Sequence, residues 1–378
     1  MVGGPFARWV HVHAVEPEGE TARLVDTIDL ALPLGPVGRL GEPVARRELE
    51  RMFGFRQTRV AADLDRHARF AEQPRLRVGI TGQSGLIGTQ LAAYLRTGGH
   101  EVIPFVRRPA AGNEIAWDPA AGVLDPSDLE GLDAVVHLAG ESVSRRWTVA
   151  RKREILGSRV DGLRLLRTAM AASADGPRVL LAASAIGWYG PGRGDEELDE
   201  SSSAGGGFLA DVCRQAEAEL QAASADGIRG VAMRLGIVLH PRGGALQRML
   251  PTARLGLGGP IGSGRNWWSW IDLEDVLGAI EHLLHSNLDG PVNVVSPTPV
   301  RQREFARTVG RVLRRPAFLP LPAPAVKVAF GEMGREVLLA SQRVKPTKLE
   351  QDGFTYLHPD LEESLRTMLG RTRATRRA

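Results

Sequence analysis

Residues 76–88 read LRVGITGQSGLIG, and the rest of the chain is organised around this stretch. An apolar run containing β-branched Val78 and Ile80 ends at Thr81, and glycines then recur at three-residue spacing as Gly82, Gly85 and Gly88. The pattern predicts a strand, a tight turn and a helix start. Gly82 permits the sharp turn, Gly85 lets a pyrophosphate approach the backbone, and Gly88 lets the new helix pack close to the sheet. The helix N-terminus presents free N–H groups and a positive dipole end to the phosphates. Glycine-rich turns are common in a chain with 44 glycines, so the flanks decide. Leu86, Ile87, Leu91 and Leu95 are spaced for an amphipathic helix, and a second strand, Glu101 to Val106, follows Gly98-Gly99-His100.

Beyond that strand stand Arg107 and Arg108, where a dinucleotide fold places the residue that reads the adenosine ribose. An acidic side chain there bonds the 2′-hydroxyl, whereas arginine pairs with a 2′-phosphate, so the sequence favours NADP(H) over NAD. Asp133 to Gly140 is another buried strand, ending in small residues across which a cofactor can lie flat. Within it, His137 reads as a packed, hydrogen-bonded residue. A helix with a charged first half, Trp147 to Met170, precedes the strand Val179 to Ser184. Ser184 therefore stands at the sheet's carboxyl edge, where open α/β sheets bind ligands. Strands and helices alternate throughout, which predicts a parallel sheet wrapped on both faces.

Thr81-Gly82-x-x-Gly85-x-x-Gly88, His137-Leu138-Ala139-Gly140, Ser184-x-x-x-x-Tyr189-Gly190 and Ser269-Trp270-Ile271-Asp272 together resemble an extended short-chain dehydrogenase/reductase of the NAD-dependent epimerase/dehydratase superfamily. Arg146-Trp147, Arg159-Val160, Arg234 to Leu239 and LGLGGPIGSGRNWWSWIDLEDV are similar to its YfcH-like "epimerase family" subgroup. The likeness spans about residues 76 to 370. It implies a Rossmann-type doubly wound parallel sheet with a small C-terminal α/β substrate region. It also implies that Gly82, Ser84, Gly85, Leu86, Ile87 and Gly88 contact the pyrophosphate, Arg107 the 2′-phosphate, and Leu138, Ala139 and Gly140 the ribose side. Ser184 matches the serine that bonds the reacting substrate oxygen.

One element of the resembled pattern is missing. Typical members pair tyrosine with a lysine four residues on, and the ammonium lowers the phenol pKa so that it exchanges a proton near neutral pH. The tyrosines here are Tyr94, Tyr189 and Tyr356, followed four residues later by Gly98, Arg193 and Asp360. The helix expected to carry the pair has Phe208 and Val212 at its two positions. Tyr189 or Lys152 then replaces the proton donor, or the fold binds the dinucleotide without turnover. Tyr189 also reads as a packing residue, and Lys152 as a solvated one.

Residues 1–70 do not begin such a domain. Trp9 to Val15 and Ala22 to Asp29 alternate around a turn at Glu16 to Gly19, which reads as a hairpin. Leu34-Gly35-Pro36 then links to a long helix from about Glu42. GPFARWVHVH, DTIDLALPLG and RRELERMFGFR together resemble the C-terminal half of a START-like (SRPBCC) domain, a partial α+β helix-grip segment whose front half would lie outside this sequence. His11 and His13 share a strand face, which more often marks a solvated or packed surface than a metal site; no metal is expected.

Toward the C-terminus, the glycine-dense loop 256–264 precedes Trp267, Trp268 and Trp270, aromatics that either close over a substrate or pin an irregular segment to the core. Asp272 and Asp275 open a helix and read as caps. The division expected is residues 1–70, a cofactor domain at 76–300, a small domain at 301–370 and a disordered basic tail at 371–378. Net charge is +4, equal to the four tail arginines Arg371, Arg373, Arg376 and Arg377, so the charge does not argue for nucleic acid. With aromatics at 5% of residues, a base-stacking surface is disfavoured too. The single cysteine, Cys213, makes no internal disulfide and reads as a buried structural thiol. No apolar span suits a membrane, so a cytoplasmic protein and possible homodimer acting on a small molecule is expected. The functional expectation is an NADP(H)-dependent oxidoreductase or epimerase for a small carbonyl or sugar-like substrate. The alternative is a non-catalytic NADP(H)-sensing or interaction module.

Overall fold

The computed structural model describes residues 6–19, 21–33, 35 and 37–371. Two of the three residues of the expected link Leu34-Gly35-Pro36, and all but Arg371 of the basic tail, lie outside the described residues. The chain divides into two compact units, residues 1–59 with 373–378, and residues 60–372.

In the first unit, β1 (Arg8–Glu18) pairs antiparallel with β2 (Thr21–Ala31), so the expected hairpin forms and runs longer than its alternating core. Across this ladder His13 stands opposite Asp26 and His11 opposite Ile28, all on one face. The helix α1 (Glu42–Ala68) begins in this unit, and Phe53 meets the His11 ring edge-on at 5.1 Å.

The second unit opens with the last turns of α1. It continues through β3 (Arg77–Thr81), α2 (Leu86–Thr97), β4 (Glu101–Val106), β5 (Ile115–Ala116), β6 (Ala134–His137), α3 (Val149–Ala172) and β7 (Val179–Ala185). Next come β8 (Gly192–Leu198), α4 (Phe208–Ala223), β9 (Arg229–Leu235), β10 (Ile237–His240), α5 (Gly244–Arg254), β11 (Trp267–Trp268), β12 (Trp270–Asp272), α6 (Leu273–His285) and β13 (Gly290–Val294). The last elements are β14 (Val300–Arg301), α7 (Gln302–Leu313), α8 (Ala323–Met333), β15 (Ser341–Val344), α9 (Thr347–Gln351) and α10 (Leu361–Met368).

Seven strands form one sheet in the order β13-β9-β7-β6-β3-β4-β5, with each pairing parallel. Because successive strand side chains alternate sides, Val78, Ile80, Leu181 and Val231 point to one face. There they pack with Leu91 of α2 and Val276 and Ile280 of α6. Val135, Leu180 and Ala232 point to the other, against Leu163 and Leu166 of α3 and Leu220 of α4. Helices on both faces bury a parallel sheet completely, the doubly wound arrangement expected from the alternation. The strand order reverses direction beside β3, and crossover loops there splay apart to leave a crevice at the carboxyl ends.

Beyond the sheet, β8 pairs parallel with β15 and β11 antiparallel with β14. These pairs tie the C-terminal segment onto the loops that follow β7 and α5. The tryptophans pin this region: Trp268 and Trp270 are buried, and Trp267 donates to Asp195 at 2.8 Å beneath the Arg301 guanidinium. Of the two roles expected for the Gly256–Gly264 region, the structure shows pinning. Asp272 caps α6 by accepting from Glu274 N at 2.9 Å. Asp275 accepts from Arg66, Leu357 N and His358 N. Among the described residues, no helix is long and apolar enough to cross a membrane.

Candidate dinucleotide and substrate site

A cleft of about 1160 Å³ opens at the carboxyl ends of β3, β4 and β6. It brings together Gly82, Ser84 and Gly85 from the turn, Arg107 from beyond β4, and Leu138, Ala139 and Gly140 from beyond β6. Gly82 has φ of +70°, and a Cβ on it would stand 2.7 Å from Ala139 N. A Cβ on Gly88 would stand 2.4 Å from the Gly82 carbonyl oxygen, so the helix seats on the turn only because that position is glycine. Leu86, Ile87 and Gly88 form the first turn of α2, where the Leu86 and Ile87 side chains pack into the core and their backbone N–H groups face the turn. No side chain caps this terminus at Gly85. A cradle of glycines, uncapped N–H groups and a helix N-terminus fits a pyrophosphate.

The two arginines after β4 have separate fates. Arg108 grips Glu114 with two bonds of 2.7 Å, which raises its pKa. Arg107 forms no ion pair with a described carboxylate and lines the cleft, so its guanidinium is open to a phosphate. His137 is fully packed. Its Nδ1 lies 2.8 Å from Thr81 Oγ1, and burial, with the nearby Arg159 charge, pulls its pKa down to about 3. It is therefore a neutral structural residue at ordinary pH.

At the end of β7 the two expected catalytic residues join one network that the sequence did not reveal. Ser184 Oγ donates to Glu217 Oε1 at 2.6 Å. Glu217 holds Arg234, whose Nη2 donates at 2.7 Å, and Arg234 Nη1 donates to the Tyr189 hydroxyl at 3.1 Å. The Tyr189 hydroxyl sits between Asn293 Oδ1 at 2.7 Å and the Asp199 carbonyl at 2.8 Å. Tyr189 is wholly buried, and that burial pushes its pKa up to about 12, the opposite of what proton exchange near neutrality requires. Tyr189 thus sits behind Ser184, bracing Arg234, a position and pKa that do not favour proton exchange.

The face of α4 directed at the end of β7 also differs from the expected one. Cys213 Sγ donates to the Ala185 carbonyl, Glu217 receives Ser184, and Leu209 lies against Gly187. Leu209 and Cys213, four residues apart, therefore occupy the facing positions, and Phe208 and Val212 are each one step around the helix. Neither pair supplies a phenol or an ammonium. Cys213 is buried, and burial raises its thiol pKa, consistent with a structural thiol. Lys152 is only partly solvated. Its ammonium pairs with Glu332 of α8 at 2.5 Å and lies 4.9 Å from the Phe208 ring centre. Glu336 accepts from Phe208 N and Leu209 N at 3.0 Å each, capping α4 from the C-terminal segment.

In the first unit, His11 and His13 both bond the Asp26 carboxylate, and the three ligand atoms lie within 4.8 Å of one another. This is the single such grouping among the described residues. Arg56 occupies the same Asp26 oxygen at 3.0 Å.

The profile of the NAD dependent epimerase/dehydratase family matches residues 78–295, more than half of the chain. A domain of unknown function, DUF1731, matches residues 321–368. An epimerase family protein of Mycobacterium tuberculosis is 44% identical over 291 residues, covering 76% of this chain and 96% of the relative. The human epimerase family protein SDR39U1 is 36% identical over 299 residues, covering 78% of this chain and all of the human one. Among solved structures, a nucleoside-diphosphate sugar epimerase from Corynebacterium glutamicum superposes with a TM-score of 0.79 at 33% identity, covering 98% of this chain and 73% of that one. Human SDR39U1 (isoform 2), solved with NADPH, superposes with a TM-score of 0.70 at 35% identity, covering 78% of this chain and 99% of that one.

Proposed function

Because the chain belongs to the NAD dependent epimerase/dehydratase family, we propose that its cleft binds NADP(H) and serves hydride exchange with a small carbonyl or sugar-like substrate, as an oxidoreductase or epimerase. The observation that carries this reading is Arg107, which lines the cleft with no described carboxylate at ion-pair distance, while Arg108 beside it is tied to Glu114. A guanidinium at the ribose end pairs more strongly with a 2′-phosphate, through charge-assisted and bidentate bonds, than with a neutral 2′-hydroxyl. The NADPH held by human SDR39U1 supports the same choice.

In this reading Gly82, Ser84, Gly85, Leu86, Ile87 and Gly88 cradle the pyrophosphate, and Leu138, Ala139 and Gly140 flank the inner ribose. The dinucleotide supplies or accepts the hydride. Ser184 meets the substrate oxygen. Its proton already points at Glu217, so it offers lone pairs to a substrate hydroxyl, an arrangement suited to holding an alcohol for oxidation. Tyr189 and Arg234 keep Glu217 in place. An epimerase would oxidise, rotate and re-reduce its substrate with no net redox change.

A second reading, a redox-sensing or interaction module, is favoured by one observation. The α4 face toward the site offers Leu209 and Cys213 in place of a proton-exchanging pair. The segment 301–370 we read as a substrate-side cover on the 76–300 cofactor domain, supported by Glu332 and Glu336 reaching Lys152 and α4. The hairpin and helix of residues 1–70 support the START-like reading of that segment.

Fluorescence titration with NADPH and, separately, NADH tests the proposal. NADPH is expected to bind at least tenfold more tightly. Failure of both to bind would reduce the glycine turn to a structural role and leave the interaction module.

A further inference from the structure

Neighbouring strands β4, β3, β6 and β7 present, at their carboxyl ends, Arg107, the Gly82 turn, Gly140 and Ser184. A dinucleotide crossing these ends with its 2′-phosphate at Arg107 and its pyrophosphate at Gly82 brings its second ribose to Gly140. The side chain waiting there is Arg159 of α3. A Cβ added to Gly140 would lie 3.2 Å from Arg159 Cζ and 3.3 Å from Nη2, so the guanidinium rests directly on that backbone. Its charge is felt on one side by His137 and on the other by Cys213 of α4.

Arg159 differs from the cations around it. Arg151 pairs with Glu141, Lys152 with Glu332 and Arg234 with Glu217. Arg159 has no described carboxylate within ion-pair distance. Its Nη1 donates to two neutral backbone acceptors, Glu141 O at 3.0 Å and Ile155 O at 3.1 Å, which fix its orientation. Nη2 and Nε make no hydrogen bond to the described residues. A half-buried guanidinium stays charged and is costly to leave uncompensated, so acceptors brought by a ligand would stabilise it.

We propose that Arg159 is a cofactor-positioning residue that donates through Nη2 and Nε to the hydroxyls of the nicotinamide-side ribose, taking from α3 the place of the cation that α4 lacks. The assignment rests on the NADP(H) reading above. It gives this chain a planar, forked donor where the resembled enzymes carry a lysine.

The test compares two probes on the full chain: NADPH, and adenosine 2′,5′-bisphosphate, which lacks the second ribose. In Arg159→Met, NADPH should bind at least about tenfold more weakly, the loss of charge-assisted hydrogen bonds, with the bisphosphate unchanged. Arg159→Lys should recover most of the NADPH affinity. Unchanged NADPH binding in Arg159→Met, or equal weakening of both probes, overturns the assignment. Should Arg159→Met not fold, Arg159→Gln, which also removes the charge, is the variant read, and affinities identical to wild type for both probes overturn it. Wild-type protein that binds neither probe instead sinks the cofactor reading itself.

Discussion

Replacing Glu281 by Gln probes a buried carboxylate of the second unit that gathers two histidines and a tyrosine. Glu281 lies on α6, 1% exposed, with His67 Nδ1 at 2.6 Å, His100 Nε2 at 3.8 Å and the Tyr94 hydroxyl donating to its other oxygen. Burial alone would raise its pKa, but these neighbours and the His67 charge outweigh it and hold the carboxyl at about 2, against an ordinary 4.5. That gap corresponds to about 3 kcal/mol of stability. The folded pKa is the lower one, so the contribution is complete above pH 4.5 and is lost as pH falls toward 2. About half remains at pH 3. Glu281→Gln removes the charge and leaves Tyr94 and His67 competing for one carbonyl, so it should cost about 3 kcal/mol at pH 7. Urea unfolding followed by tryptophan fluorescence at pH 7, 4 and 3 measures both proteins. The difference between them should narrow between pH 4 and 3. A difference below about 1 kcal/mol at pH 7, or one that does not change with pH, would refute the argument.

Two further substitutions address the cleft. Gly88→Ala places a methyl 2.4 Å from the Gly82 carbonyl oxygen, which must shift the turn. NADPH affinity should fall by at least about tenfold, read by the same fluorescence titration, and near-wild-type binding would show that the turn does not hold the pyrophosphate. Arg107→Asp should invert the NADPH-over-NADH preference by like-charge repulsion of the 2′-phosphate, and an unchanged ratio of the two affinities would move the ribose pocket elsewhere.

The strand, turn and helix at 76–88, the alternation that follows and the glycines that line the cleft were legible in the chain because each depends on local rules. Apolar period, glycine spacing and helix start are properties of neighbours in sequence. The same holds for the hairpin at β1 and β2 and for the Asp272 cap. What the linear pattern obscured were contacts made across the fold. Tyr189, just beyond Ser184, reads in the sequence either as a proton donor or as a packing residue, and the fold carries its ring into the core against Asn293, over one hundred residues away. The rotation of α4 that turns Leu209 and Cys213 toward β7 is set by packing on the sheet, and a one-residue offset in a helix moves a side chain by about 100°.

The doubly wound sheet, the glycine turn and the absence of a tyrosine-lysine pair followed from residue type and spacing alone. The fold settled which of two adjacent arginines is tied down, because Glu114 reaches Arg108 and not Arg107. It alone joined Ser184, Glu217, Arg234 and Tyr189 into one network, and left Arg159 with no described carboxylate at ion-pair distance. Ion pairs are chosen by distance in space, and in a parallel sheet the strand ends that meet come from segments of chain tens to hundreds of residues apart.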